Sequence, residues 1–99
     1  MRRQLLEHVS GHGRLHHAEG APLPMHYSIE HFQDMLPGAP GQPDSPGPQS
    51  IEGYLFSETP EKFMDLQRED LTLELEDGRR LRIQLTNLQG SFAATGGFF

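Results

Sequence analysis

Histidine is the residue type best placed to do chemistry. There are six in 99 residues, four of them between positions 8 and 17. His8, His12 and His16 are spaced by four, which on a helix would stack three imidazoles on one face as a metal site. Ser10, Gly11 and Gly13 lie among them, and serine and glycine disfavour a helix interior. The stretch therefore reads as extended chain. In a strand, His16 and His17 point to opposite faces, and so do His26 and His31. A hairpin that folds residues 13–17 back on 25–32 brings His26 to His16 or His17. Glu30, on the face of His26, is the natural third ligand for zinc or another divalent metal. The competing expectation is a set of scattered surface histidines and no cofactor.

Other catalytic signals are missing. No Walker loop, dinucleotide fingerprint, nucleophile elbow or His-Glu-x-x-His motif occurs in the sequence. Glu69 with Asp70 and Glu74 with Glu76 read as solvated charges. The chain is expected not to be an enzyme. Cysteine is absent, which excludes disulfides, thiolate metal sites and cysteine nucleophiles. The net charge of −6 works against nucleic acid and anionic membranes, which call for a positive face. Arg79, Arg80 and Arg82 are clustered, but no aromatic residues are interleaved for base stacking. No apolar run is long enough for a membrane span or a secretory signal, and a cytoplasmic location is expected.

The elements that would position these residues centre on 71–85. Leu71, Leu73 and Leu75 alternate with Thr72, Glu74 and Glu76; Leu81, Ile83 and Leu85 alternate with Arg80, Arg82 and Gln84. This is the period-2 pattern of a sheet with one buried and one wet face. A two-residue Asp77-Gly78 turn would put leucine and arginine on the same face. A three-residue loop, 76–78 with Gly78 in the left-handed region, pairs Leu73 with Leu81 and Leu71 with Ile83. Glu74 then faces Arg80, and Thr72 faces Arg82. Arg80 and Arg82 serve as cross-strand partners or as an anion-binding strip.

Ahead of this hairpin, residues 2–9 form two helical turns or a first strand, and Ser10, Gly11 and Gly13 are expected to break it. Residues 13–17 form a short strand, 19–22 a turn, and 25–32 a strand paired so that Leu15 meets Tyr27 or Ile29. Residues 36–49 hold five prolines, Pro37, Pro40, Pro43, Pro46 and Pro48, and read as a mobile Pro/Gly-rich loop, a spacer or a polyproline ligand. In 50–57, Ile51, Gly53 and Leu55 alternate with Glu52, Tyr54 and Phe56. Thr59 caps a short helix near residues 60–68, with Phe63 and Leu66 packed down. Residues 90–94 form a last strand, and Phe98 and Phe99 either pack on the barrel or stay exposed. Gly13, Gly53 and Gly90 each precede a large apolar residue by two, as the tight corners of a small barrel require.

The resulting expectation is a single mainly β domain over residues 1–99: a small antiparallel barrel or rolled sandwich of five to six short strands with one short helix. Its expected function is a non-catalytic binding or interaction module, with a protein partner or self-association as a homodimer. Tyr54 and Phe56, with Arg80 and Arg82, form the candidate interaction patch. The alternative is the histidine metal binder of His16, His17, His26 and Glu30.

Six histidines set against a charge of −6 give a first prediction. Full protonation brings the formal charge to zero, and imidazole titrates near ~6.5. Solubility is expected to fall, or self-association to rise, between about pH 7 and 5.5. Light scattering across that range checks this; clear, monodisperse protein throughout contradicts it.

Overall fold

The computed structural model describes residues 2–18 and 20–99. Six antiparallel strands close into a barrel: β1 (Arg2–His16), β2 (Leu23–Leu36), β3 (Ser45–Phe56), β4 (Leu71–Glu74), β5 (Arg80–Leu85) and β6 (Ser91–Ala94). One short helix, α1 (Lys62–Asp65), lies between β3 and β4. The strand order around the barrel is β1-β2-β3-β6-β5-β4.

The β4–β5 hairpin has the register that its leucine pattern dictates. Leu71 faces Ile83, Thr72 faces Arg82, Leu73 faces Leu81 and Glu74 faces Arg80. The Leu75 N–H donates to the Arg79 carbonyl at 2.8 Å and the Gly78 N–H to the Leu75 carbonyl at 3.0 Å. Gly78 has φ +92°, the left-handed residue of a three-residue loop. Leu71, Leu73, Leu75, Leu81 and Ile83 are buried, together with Leu15, Ile29, Leu55, Phe63 and Phe92. Among the described residues no polar or charged side chain is buried, so the barrel interior is a packed apolar core.

Three strands are longer than the sequence pattern suggests. β1 runs unbroken through Ser10, Gly11 and Gly13, and it is neither a helix nor two separate strands. Its pairing with β2 explains why. Gly11 and Gly13 lie opposite Tyr27 and Met25, and both make room for Tyr27: a Cβ on Gly11 would press on its hydroxyl and one on Gly13 on its ring. The register sets Leu15 against Leu23 and His12 against His26, not Leu15 against Tyr27. Of the expected turn at 19–22, Glu19 lies outside the described residues, and Gly20 has φ +90°.

The proline-rich segment also differs from expectation. Only 37–44 is loop; Ser45 to Gln49 belong to β3. Pro46 and Pro48 are tolerated because no strand lies on the other side of this part of β3, and because its pairing with β2 is irregular there, Pro48 falling out of the ladder. The loop turns at Pro40-Gly41, where the Gln42 N–H donates to the Ala39 carbonyl at 2.8 Å and Gly41 has φ +81°. Proline then glycine at these positions is a type II turn, not an extended polyproline helix.

Residues 2–8, 30–36 and 45–50 of β1, β2 and β3 project beyond the barrel as a three-stranded arm. The molecule measures 55 × 25 × 19 Å with a radius of gyration of 15.5 Å, against about 13 Å for a compact chain of this size. The arm has little core of its own. Leu5, Leu6 and Leu36 are exposed. Polar ladders hold it together, including the His31 ring nitrogen with Gln49 Oε1 at 2.7 Å and Gln49 Nε2 donating to Gln33 Oε1 at 3.0 Å. Arg3 stacks over Phe32 at 3.9 Å.

The helix is a single turn. Thr59 does not cap it: its hydroxyl meets Ser57 Oγ at 3.2 Å, and the helix begins after Glu61 with no side-chain cap. Phe63 and Leu66 are buried as expected. At the C-terminus the two phenylalanines divide. Phe98 packs against the core beneath the Arg79 guanidinium at 4.6 Å, whereas Phe99 is exposed. The Phe99 backbone exchanges hydrogen bonds with Arg80 at 2.8 and 2.9 Å.

All three glycines are close-approach points, Gly90 meeting the Leu55 carbonyl oxygen and the Phe63 ring. A Cβ on Gly53 would strike the Ser28 carbonyl oxygen and press on the Phe92 ring, and one on Gly13 would strike the Glu74 carbonyl oxygen. Backbone cannot yield as a flexible side chain can. Gly53→Ala is therefore expected to destabilise the fold by roughly 1–3 kcal/mol, read as a lower urea midpoint. An unchanged midpoint would show that the strands have slack there.

Candidate functional site

With an apolar interior, the functional groups must act from the outside. Period-2 alternation and the cross-strand register sort them onto one continuous surface, the outer face of β1–β2–β3. Core-facing Tyr27, Ile29, Ile51 and Leu55 leave their neighbours in sequence pointing outward. The pairing arranges these in rows across the strands: His12, His26 and Phe56; Ser10, Ser28 and Tyr54; His8, Glu30 and Glu52.

Tyr54 and Phe56 are 54% and 57% exposed. They stand two residues apart on β3, and the short helix packs Phe63 and Leu66 into the core without covering them. His26, next to Phe56, meets His12 with ring centroids 3.9 Å apart and planes inclined at 52°. Beside this row lies an open groove of 490 Å³ lined by His12, His26, Phe56 and Glu58 among others. Further along the face, the His8 ring nitrogen bonds Ser28 Oγ at 3.0 Å, and Arg3 reaches Glu52 at 3.4 Å and Asp34 at 3.9 Å.

The expected histidine site is not assembled from the residues first assigned to it. His26 faces His12, not His16 or His17. His16 lies at the β1–β4 seam, where its ring nitrogen bonds Glu74 Oε1 at 2.8 Å. His17 bonds the Ala21 carbonyl at 3.0 Å. Glu30 shares the outer face with His26, but four residues along a strand span about 13 Å. No group of three metal-ligating side chains occurs among the described residues. In the sequence His12 counts only within a helical His8-His12-His16 triad; its place opposite His26 follows only from the register of two long strands.

Arg80 and Arg82 are exposed on β5, with β6 between them and Tyr54 and Phe56 on β3. Arg80 faces Glu74, and the Arg82 guanidinium lies 5.6 Å from the Phe99 ring. They do not join the β3 aromatics in a single patch. Nearby, Arg79 donates to Glu7 at 3.1 Å and to Asp77 at 2.8 Å. The hydrogen bond to Glu7 holds the guanidinium protonated more firmly, and the backbone N–H of Arg79 lowers the Asp77 carboxyl below its usual range.

Compared with protein-family models, curated proteins and solved structures, the chain finds no match in any of the three.

Glu74 supplies a pH prediction. The hydrogen bond from His16 holds its carboxyl below the ordinary value of 4.5, with Arg14 and Arg80 adding attraction. A lowered folded-state value means that the unfolded chain takes up the proton first. Its stabilisation is present in full above pH 4.5 and is lost as pH falls through the folded-state value. Glu74→Gln should therefore flatten the acid limb of stability against pH below 4.5. Urea melts of both proteins at several acidic pH values check this; parallel acid limbs contradict it.

Proposed function

We propose that this protein is a non-catalytic binding module that associates with a protein surface, a second copy of itself in the first instance, through the outer face of β1–β2–β3. The carrying observation is the exposed pair Tyr54 and Phe56 on the outer sheet face, uncovered by the helix. Burying a large apolar side chain is worth roughly 1.5–3 kcal/mol, and adjacent exposed rings usually mark a contact.

The edges of the arm support a facial mode of contact. β1 carries a register irregularity between Leu5 and Glu7, and β3 carries Pro46 and Pro48. Bulges and prolines are what blunt a free edge against strand addition. The face remains the broad surface on offer. The charge of −6 favours a protein partner over a polyanion. Among the described residues no helix is long and apolar enough to cross a membrane. A cytoplasmic location belongs to the same proposal.

Tyr54→Ser with Phe56→Ser tests this reading. Both side chains are exposed, so the double variant should keep its circular dichroism and thermal midpoint while its self-association in sedimentation velocity weakens at least tenfold. Wild-type protein that is monomeric at high concentration, or a variant that unfolds, counts against the reading.

A further inference from the structure

Four of the six histidines have a ring nitrogen already engaged: His8 with Ser28, His16 with Glu74, His17 with Ala21 and His31 with Gln49. His12 and His26 differ. They are exposed, they face each other across β1 and β2 with centroids 3.9 Å apart, and their ring nitrogens have no hydrogen-bond partner among the described residues. A directly opposed cross-strand pair brings its Cβ atoms to about 4.5–5.5 Å. That separation lets two imidazoles converge on one cation.

We propose that His12 and His26 form half of a divalent-metal site of the zinc type, which a second copy of this chain completes with its own His12 and His26. Imidazole nitrogen suits zinc, copper and nickel, and zinc commonly takes four ligands in a tetrahedron. This chain supplies two and, among the described residues, no third. Two chains supply four. This inference rests on the facial self-association above and names the chemistry at its centre.

The geometry of two facing sheets suits the arrangement. Sheets stack about 10 Å apart, which leaves about 5 Å from each backbone to the midplane, close to the reach of an imidazole. A two-fold axis through the metal, lying in the midplane parallel to the two faces, would set each Phe56 beside the site and Tyr54 next to it, where their rings shield it from water. Charge does not oppose the contact. The chain as a whole carries −6; on this face Arg3 and Arg14 stand against Glu30, Asp34 and Glu52, with Glu58 at the adjacent groove, and a divalent cation between two copies offsets the acidic excess. The groove beside the pair keeps it open to an entering ion.

The test uses the full chain at a concentration where the metal-free protein is mainly monomeric, with zinc chloride added stepwise. The expected result is saturation at one zinc per two chains, movement of the ring C–H signals of His12 and His26, and at least a tenfold gain in dimer by sedimentation, reversed by EDTA. His12→Ala and His26→Ala should each abolish the response; His16→Ala and His17→Ala should leave it intact. Saturation at one zinc per chain without dimer overturns the proposal, and so does silence at His12 and His26. The parent reading fails separately: if Tyr54→Ser with Phe56→Ser leaves association in EDTA unchanged, the aromatic patch is refuted whatever zinc does.

Discussion

The closed barrel depends on a seam of three residue pairs. Arg14, Leu15 and His16 of β1 meet Glu74, Leu73 and Thr72 of β4. The two ladders of β6 are as short, but this one joins the first strand to the fourth across some sixty residues of chain. Its inner side is the contact of Leu15 with Leu73, both fully buried, and its outer side is the bond of His16 to Glu74. Gly13 sits at the start of the seam, where the Glu74 backbone comes too close for any side chain. Without this junction the sheet would keep two open edges and the core would lose a wall.

The seam also explains how one strand serves two purposes. Up to Gly13, β1 pairs with β2 alone, and its other side carries no strand among the described residues. Arg14 and Leu15 pair on both sides. The barrel thus ends where β4 ends, and the arm is what remains of three strands that outrun their neighbours. The arm's sequence matches that position. Arg2-Arg3-Gln4-Leu5-Leu6-Glu7 shows no clean alternation, because neither face of the arm there rests on a core. Stability at that end comes from ladders of glutamine and histidine and from Arg3 stacked on Phe32.

Much of the barrel was legible because local pattern and tertiary need coincide there. The leucines of 71–85 admit one register that keeps arginine out of the core, and Gly78 supplies the turn it requires. Phe63 and Leu66, and the outward aim of Tyr54 and Phe56, follow from periodicity alone. The β1–β2 pairing is another matter. Setting Leu15 opposite Tyr27 or opposite Leu23 differs by a slide of four residues, an even number that keeps every side chain on its own face. Alternation cannot choose between the two. The Tyr27 side chain lying over Gly11 and Gly13 chooses, and it is visible only when both strands are aligned in space. That slide sets His26 opposite His12 rather than His16 and leaves the fold class as expected. Pro46 and Pro48 look like loop in the sequence for a similar reason: a proline is tolerated in a strand at an edge or an irregular pairing, which no local pattern reveals.

The outer face runs from well-supported sheet to poorly supported sheet. The row of His12, His26 and Phe56 rests on Met25 and Leu55, anchored in the core, whereas the row of Leu5 and Phe32 lies where nothing apolar backs it. Amide protons at the barrel end are protected by the whole fold, and those toward the tip only by the ribbon's own hydrogen bonds, which open at lower free energy. A partner that covers only the anchored end binds a surface already in shape. One that spans the full 55 Å must first quiet the tip, and part of its contact energy is then consumed as lost conformational entropy. The taper in backing thereby favours compact occupants over extended ones, with no side chain dedicated to the choice.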